Sequence, residues 1–159
     1  MSSSTTDETV QIAVIGGSGL YRLQEQEPAE IRQIQTPFAK EAITVSLEVT
    51  PAGAAWFIPR HGASHNIAPH LINYRANLWA LKELGVKTVL AVNAVGGINS
   101  QLTPGTLVLP DQIIDYTWGR EHTFFTEGHS LEKHVDFTWP YDAELREILQ
   151  ASAVMLDLP

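Results

Sequence analysis

Between Val10 and Ile15 the chain is β-branched and almost continuously apolar, and it then runs straight into Gly16-Gly17-Ser18-Gly19. A strand without polar alternation belongs in a buried, parallel sheet, and a glycine turn is how such a strand leaves it. The pattern returns twice. Ala54 to Ile58 is apolar and is broken by Pro59, after which come Arg60, His61 and Gly62. Proline has no N–H for a sheet ladder, so the strand should stop there. Val89 to Val92 runs into Asn93-Ala94-Val95-Gly96-Gly97. In doubly wound sheets ligands bind beyond the carboxyl ends of the strands. Three strands ending in glycine or polar mouths would share one such edge.

The stretches between them set the rest of the fold. Gln24 to Phe38 is polar, carries Pro28 and Pro37, and reads as an irregular connection. Ile43 to Val49 alternates strictly, which predicts an antiparallel or edge strand with one wet face, and Pro51-Ala52-Gly53 turns it back as a hairpin. Pro69 and His70 should open a helix, with Leu71, Tyr74, Leu78, Leu81 and Leu84 at helical spacing, Trp79 in the core and Gly85 as the C-cap. Helix, glycine and buried strand make half of a βαβ unit. Leu107 to Leu109 and Gln112 to Asp115 read as a bent strand pair. His134 to Phe137 is a short alternating segment, and Glu144 to Ala153 a last amphipathic helix. Val154 to Leu158 is a helix end or the start of a strand. The stretch Tyr116 to Phe125 mixes aromatics with charge and has the look of a binding loop or subunit contact. The expected class is α/β, with a mixed central sheet flanked by helices.

The chemistry suggested by the mouths is anion binding. Arg60 offers a rigid fork of donors suited to phosphate or carboxylate. The turn at Gly16–Gly19 can present backbone N–H groups and the Ser18 hydroxyl. It is neither the dinucleotide fingerprint, because Ser18 stands where the second glycine would be, nor a P-loop, because no lysine follows. Residue pattern alone leaves open a surface ion pair for Arg60, a solvated ring for His61 and a plain turn for the glycines. A metal hydrolase built on His61, His65 and His70 is disfavoured, since no acidic general base has the required spacing.

Composition narrows the partners. The chain has 159 residues and a net charge of −8, so a nucleic-acid or anionic-membrane partner is not expected, although a local basic pocket can still hold one small anion. It has no cysteine, hence no disulfide and no thiolate metal site, which fits a cytoplasmic protein. Residues 1–9 have neither a basic nor an apolar leader pattern and read as a disordered tail ahead of a domain over 10–159. No apolar run is long enough to span a bilayer.

Four separated stretches then carry a resemblance: Ile15-Gly16-Gly17-Ser18-Gly19-Leu20, Pro59-Arg60-His61-Gly62, Asn73-Tyr74-Arg75-Ala76-Asn77 and Asn93-Ala94-Val95-Gly96. In this order they resemble the purine nucleoside phosphorylase/methylthioadenosine phosphorylase family. Val92–Ile98, Gln112–Thr117, Gly119–Thr123 and His134–Phe137 carry a narrower likeness to bacterial S-methyl-5'-thioinosine phosphorylases. The resemblance implies a phosphorylase/hydrolase-like fold and cleavage of a purine nucleoside by inorganic phosphate. The products would be a free base and a pentose 1-phosphate, with no metal or organic cofactor. It implies that Ser18, Arg60, His61, Asn93 and Ala94 bind phosphate. His134 would lie near the sugar's 5' substituent, reaching in from a neighbouring subunit of a homotrimer. The favoured substrate is S-methyl-5'-thioinosine, and methylthioadenosine is the runner-up. In the family the groups that grip the purine, a methionine under the ribose and a further phosphate-binding hydroxyl come from residues beyond position 159. The chain is therefore expected to correspond to an N-terminal portion with the C-terminal part missing, and a catalytically incomplete fragment is the competing expectation.

Overall fold

The computed structural model describes residues 10–17, 20, 27–125 and 134–159. The chain divides into two compact units: Met1–Ala94 with Arg120–Phe124, and Val95–Gly119 with Phe125–Pro159.

The first unit is a sheet with a helix on it. Its strands are β1 (Ile12–Gly16), β2 (Glu30–Ile34), β3 (Ile43–Thr50), β4 (Gly53–Pro59) and β5 (Thr88–Val92), in the order β2-β3-β4-β1-β5. The sheet is mixed, as expected: β1 runs parallel to β4 and β5, while β3 is antiparallel to β2 and β4. The helix α1 (Tyr74–Glu83) lies on one face. Alternate residues of the strands meet it there, so Ala13, Val45, Trp56 and Ile58 form one core with Ala80, Leu81 and Leu84. This is the period of two in the strands set against the helical period in α1. Phe57 projects to the other face, where its ring fills the space that a side chain on Gly16 would need.

Several expectations need correction. Part of the stretch read as irregular, residues 30–34, is strand β2, lying between the two prolines and paired to β3 with Ile31 opposite Ser46. An outer strand can be polar, and here Glu30 and Arg32 form an ion pair on it at 2.6 Å, so no apolar alternation announces it. Because β2 lies outside it, β3 is an interior strand. Pro69–Leu71 is a short 3-10 turn, not the start of α1. Ile72 is extended, and α1 begins only after Asn73, whose Oδ1 accepts the Ala76 N–H at 3.0 Å. Asparagine is a strong N-cap, and it overrides the proline signal. Leu71 is consequently exposed. Trp79 is half-buried instead of core, set edge-on to Phe38 at 5.5 Å. Gly85 does close α1, with φ of +79° and its N–H on the Lys82 carbonyl.

The second unit holds α2 (Ala143–Met155), capped by Asp142, whose carboxylate accepts the Leu145 N–H at 2.8 Å. Asp157 follows it with φ of +51°, and the Leu158 N–H returns to the Ala153 carbonyl, so Val154 to Leu158 is a helix end. The expected strand pair over 107–109 and 112–115 does not form. Those side chains are exposed, and among the described residues no strand lies beside them to complete a ladder. An apolar run makes a strand only where a neighbour accepts its hydrogen bonds. Two matching turns occur instead. In Asp115-Tyr116-Thr117 and again in Asp136-Phe137-Thr138 the carboxylate accepts both the N–H and the hydroxyl of the threonine.

Leu81 is 1% exposed and sits at the centre of the first unit's core. Leu81→Ala should destabilise that unit by ~2–5 kcal/mol, read as a lower denaturation midpoint at unchanged slope. The second turn should respond to acid. The Thr138 hydroxyl, and after it the Thr138 N–H, hold the Asp136 carboxyl below the ordinary carboxylate range. The unfolded chain then binds this proton more readily than the folded one. The turn's contribution is present above the ordinary carboxylate pKa and lost as pH falls through the lowered value. The Thr138 amide resonance, followed through an acid titration, should move at a pH below that of an isolated aspartate.

Candidate functional site

Parallel pairing places the ends of β4, β1 and β5 side by side. Gly16 is in register with Pro59 on one side and with Val92 on the other. The Arg60 N–H extends the ladder by one bond, to the Gly16 carbonyl at 3.1 Å. From there the Arg60 side chain crosses the mouth of β1. Its Nη1 donates to the Val92 carbonyl at 2.7 Å. Its guanidinium occupies the space that a Cβ on Gly17 would take. The two glycines thus have separate reasons: Gly16 admits the Phe57 ring, and Gly17 admits the guanidinium. Among the described residues no carboxylate forms an ion pair with Arg60. A carbonyl locates the group without cancelling its charge.

The loop after Arg60 is fixed by its own hydrogen bonds. The Gly62 N–H donates to the Pro59 carbonyl at 2.8 Å, the His65 N–H to the Gly62 carbonyl at 2.9 Å and the Ile67 N–H to the His61 carbonyl at 2.9 Å. Gly62 has φ of +81°, a region that a Cβ disfavours. The His61 ring lies 2.9 Å from the Ile67 carbonyl through Nδ1. A carbonyl only accepts, so Nδ1 carries the proton, and Nε2 is left as acceptor in the neutral ring and as donor in the cation. His65 packs against His61 with ring centroids 5.0 Å apart. Among the described residues no three His, Asp or Glu side chains converge as metal ligands.

Of the residues singled out from the sequence, the structure brings Arg60 and His61 to the mouth where Asn93 and Ala94 begin, one and two positions past the Val92 carbonyl that holds Arg60. Ser18 lies outside the described residues, directly after Gly17. His134 belongs to the second unit. The sequence reading missed two participants, the carbonyls of Val92 and Ile67, because a backbone acceptor leaves no mark in a sequence. The doubled glycine at 16–17 was a signal for the first. Part of the aromatic and charged stretch over 116–125 turns out to be an internal strap. Arg75 pairs with Glu121 at 2.7 Å, Arg120 reaches the Tyr74 hydroxyl at 3.0 Å, and the Phe124 ring meets Phe38 at 5.3 Å.

Comparison with known proteins identifies the family. Residues 11–159 match the model of the phosphorylase superfamily. A probable S-methyl-5'-thioinosine phosphorylase of Xylella fastidiosa is 44% identical over 151 residues, which cover 95% of this chain and 64% of that protein. A 6-oxopurine nucleoside phosphorylase of Pyrococcus furiosus is 44% identical over 154 residues, covering 94% of this chain and 57% of that one. The solved structure of methylthioadenosine phosphorylase from Schistosoma mansoni in complex with adenine superposes with a TM-score of 0.80 at 37% identity, covering 93% of this chain and 52% of that one. The chain therefore spans between about half and two thirds of the length of these relatives. With the family model matched over nearly its whole length and the strand mouths arranged as described, the chain belongs to the phosphorylase superfamily.

Proposed function

We propose that this chain binds inorganic phosphate at the mouths of β1, β4 and β5 and serves the phosphorolysis of a purine nucleoside. S-methyl-5'-thioinosine is the favoured substrate, and the products are hypoxanthine and 5-methylthioribose 1-phosphate. The observation that carries this is the Arg60 guanidinium, held across the β1 mouth by the Val92 carbonyl with no carboxylate in an ion pair with it among the described residues. Ser18, Arg60, His61, Asn93 and Ala94 are the phosphate ligands in this proposal, and His134 serves the sugar's 5' side.

The chemistry follows from charge. A phosphate oxygen attacks the anomeric carbon as the bond to the purine nitrogen breaks, and that bond's electron pair leaves with the base, which takes up a proton. The sugar passes through an oxocarbenium-like state. An anion fixed beneath it both stabilises that charge and stands in position to attack. Arg60 supplies the fixed countercharge, and Nε2 of His61 can accept or donate a hydrogen bond according to the phosphate's protonation. Phosphate is a co-substrate, and no step calls on a metal or an organic cofactor.

A homotrimer, in which His134 enters a neighbour's site, fits the exposure of the large apolar side chains Ile67, Leu71, Tyr74 and Leu78 on the first unit. A role in purine salvage in the cytoplasm fits the substrate class, and among the described residues no helix is long and apolar enough to cross a membrane. Because the relatives carry three different substrate names, methylthioadenosine or a general purine nucleoside is the second reading.

Two measurements test this. The chain is mixed with S-methyl-5'-thioinosine or with methylthioadenosine, with and without phosphate, and the base is followed by chromatography; phosphate-dependent release of hypoxanthine from the first, and not of adenine from the second, is the outcome that supports the favoured reading. Adenine release would favour the second reading. Release of neither base, with phosphate still bound, would identify a catalytically incomplete chain. In phosphate calorimetry Arg60→Ala should lose roughly 1.5–3 kcal/mol of binding, about ten- to a hundredfold, with the fold retained. Equal affinities would remove Arg60 from the site.

A further inference from the structure

Thr138 is exposed, yet each of its polar groups is engaged. Its N–H and its hydroxyl both donate to Oδ1 of Asp136, at 2.9 and 2.6 Å. Its carbonyl accepts from Nε2 of Gln112 at 3.0 Å. Gln112 is itself oriented, because its Oε1 accepts the Ile113 N–H at 2.8 Å. Three hydrogen bonds thus converge on one residue of a segment that has no strand or helix and little burial to hold it. His134 stands two positions before Asp136 on this segment. Solvent-exposed backbone is ordinarily free to sample many conformations, at a cost of about 1–2 kcal/mol per residue to fix it. Here one side chain of the segment itself, Asp136, and one from 26 positions away, Gln112, fix it.

Resting on the sugar-side role of His134 proposed above, we infer that Asp136 and Gln112 are positioning residues for His134, acting through the Thr138 turn. Asp136 closes the turn, and Gln112 ties it to the 112–118 segment. That segment contains the matching turn of Asp115 and Thr117. The Asp-aromatic-Thr-Trp sequence occurs at both 115–118 and 136–139, with the same pair of hydrogen bonds to the aspartate in each. The aspartate carries no chemical step. Its effect is to narrow the positions that the His134 imidazole can occupy before a nucleoside arrives, so that less is lost on binding.

The test compares wild type with His134→Ala, Asp136→Ala, Asp136→Asn, Gln112→Ala and the double variant of His134→Ala with Asp136→Ala. The His134 ring resonances are read by NMR. The dissociation constants of S-methyl-5'-thioinosine and of inorganic phosphate are read by calorimetry. Asp136→Ala and Gln112→Ala should shift the His134 ring resonances in the free protein. Asp136→Ala should weaken nucleoside binding about three- to tenfold, the worth of one or two hydrogen bonds. The double variant should be no weaker than His134→Ala alone. Asp136→Asn should recover most of the loss, because an amide oxygen accepts the same two hydrogens. Phosphate affinity should stay constant throughout. Ring resonances unmoved by Asp136→Ala would overturn the inference whatever the binding data. A His134→Ala variant with wild-type nucleoside affinity, or a wild type that binds no nucleoside, would instead remove the sugar-side role of His134 and this inference with it. If His134→Ala binds weakly while Asp136→Ala binds normally, the sugar-side role stands and the positioning role is refuted.

Discussion

The contact on which the candidate site depends is the one from the Arg60 guanidinium to the Val92 carbonyl. It joins the end of β4 to the end of β5 across the mouth of β1. Without it a long arginine side chain at a strand end would sample many rotamers in water. With it, the group is placed before any anion arrives. A carbonyl is suited to this because it carries only partial charge, so the guanidinium keeps most of its attraction for a phosphate. A carboxylate in the same place would hold Arg60 more tightly and would compete with any other anion for it. This is how a chain with a net charge of −8 can still hold a locally electropositive point.

Everything around that contact is arranged to permit it. The parallel register of β1 with both neighbours brings Gly16, Pro59 and Val92 level. Gly17 leaves room for the guanidinium, and Gly16 leaves room for Phe57 on the opposite face. Proline at 59 ends β4 where Arg60 must turn away, and the loop to Ile67 then closes on itself and fixes the tautomer of His61. On the other side of the sheet the core around Leu81 seats α1, and the strap from Arg120 to Phe124 is clamped to that helix through Arg75 and Tyr74. Arg75 is largely buried while Glu121 is mostly exposed, so water screens their pairing from one side.

The elements that the sequence made legible are those whose side chains are decided by burial. Strands β1 and β4 are apolar because they sit inside the sheet, β5 is apolar although it lies at the sheet's end beside β1, and α1 shows its helical spacing because one face meets the core. The elements misread are those decided by partners. Strand β2 is polar and was missed, since an outer strand is held by backbone pairing to β3. The segments at 107–109 and 112–115 carry the apolar residues of strands, yet no described strand lies beside them to pair with. The start of α1 moved from Pro69 to Tyr74 because an asparagine cap and an extended Ile72 outweighed a proline signal. A strand is a relation between two segments, and only one of them is visible at a time in a sequence.

The sequence by itself determined the α/β class, the strand mouths, the residues gathered there and the family, because glycine, proline, arginine and buried apolar runs have narrow physical roles wherever they occur. Only the tertiary structure decided what holds those residues: the Val92 carbonyl for Arg60, the Ile67 carbonyl for His61, and the tie from Gln112 to Thr138 beside His134. Each involves a backbone carbonyl, a group present at every position and distinguished only by where folding brings it.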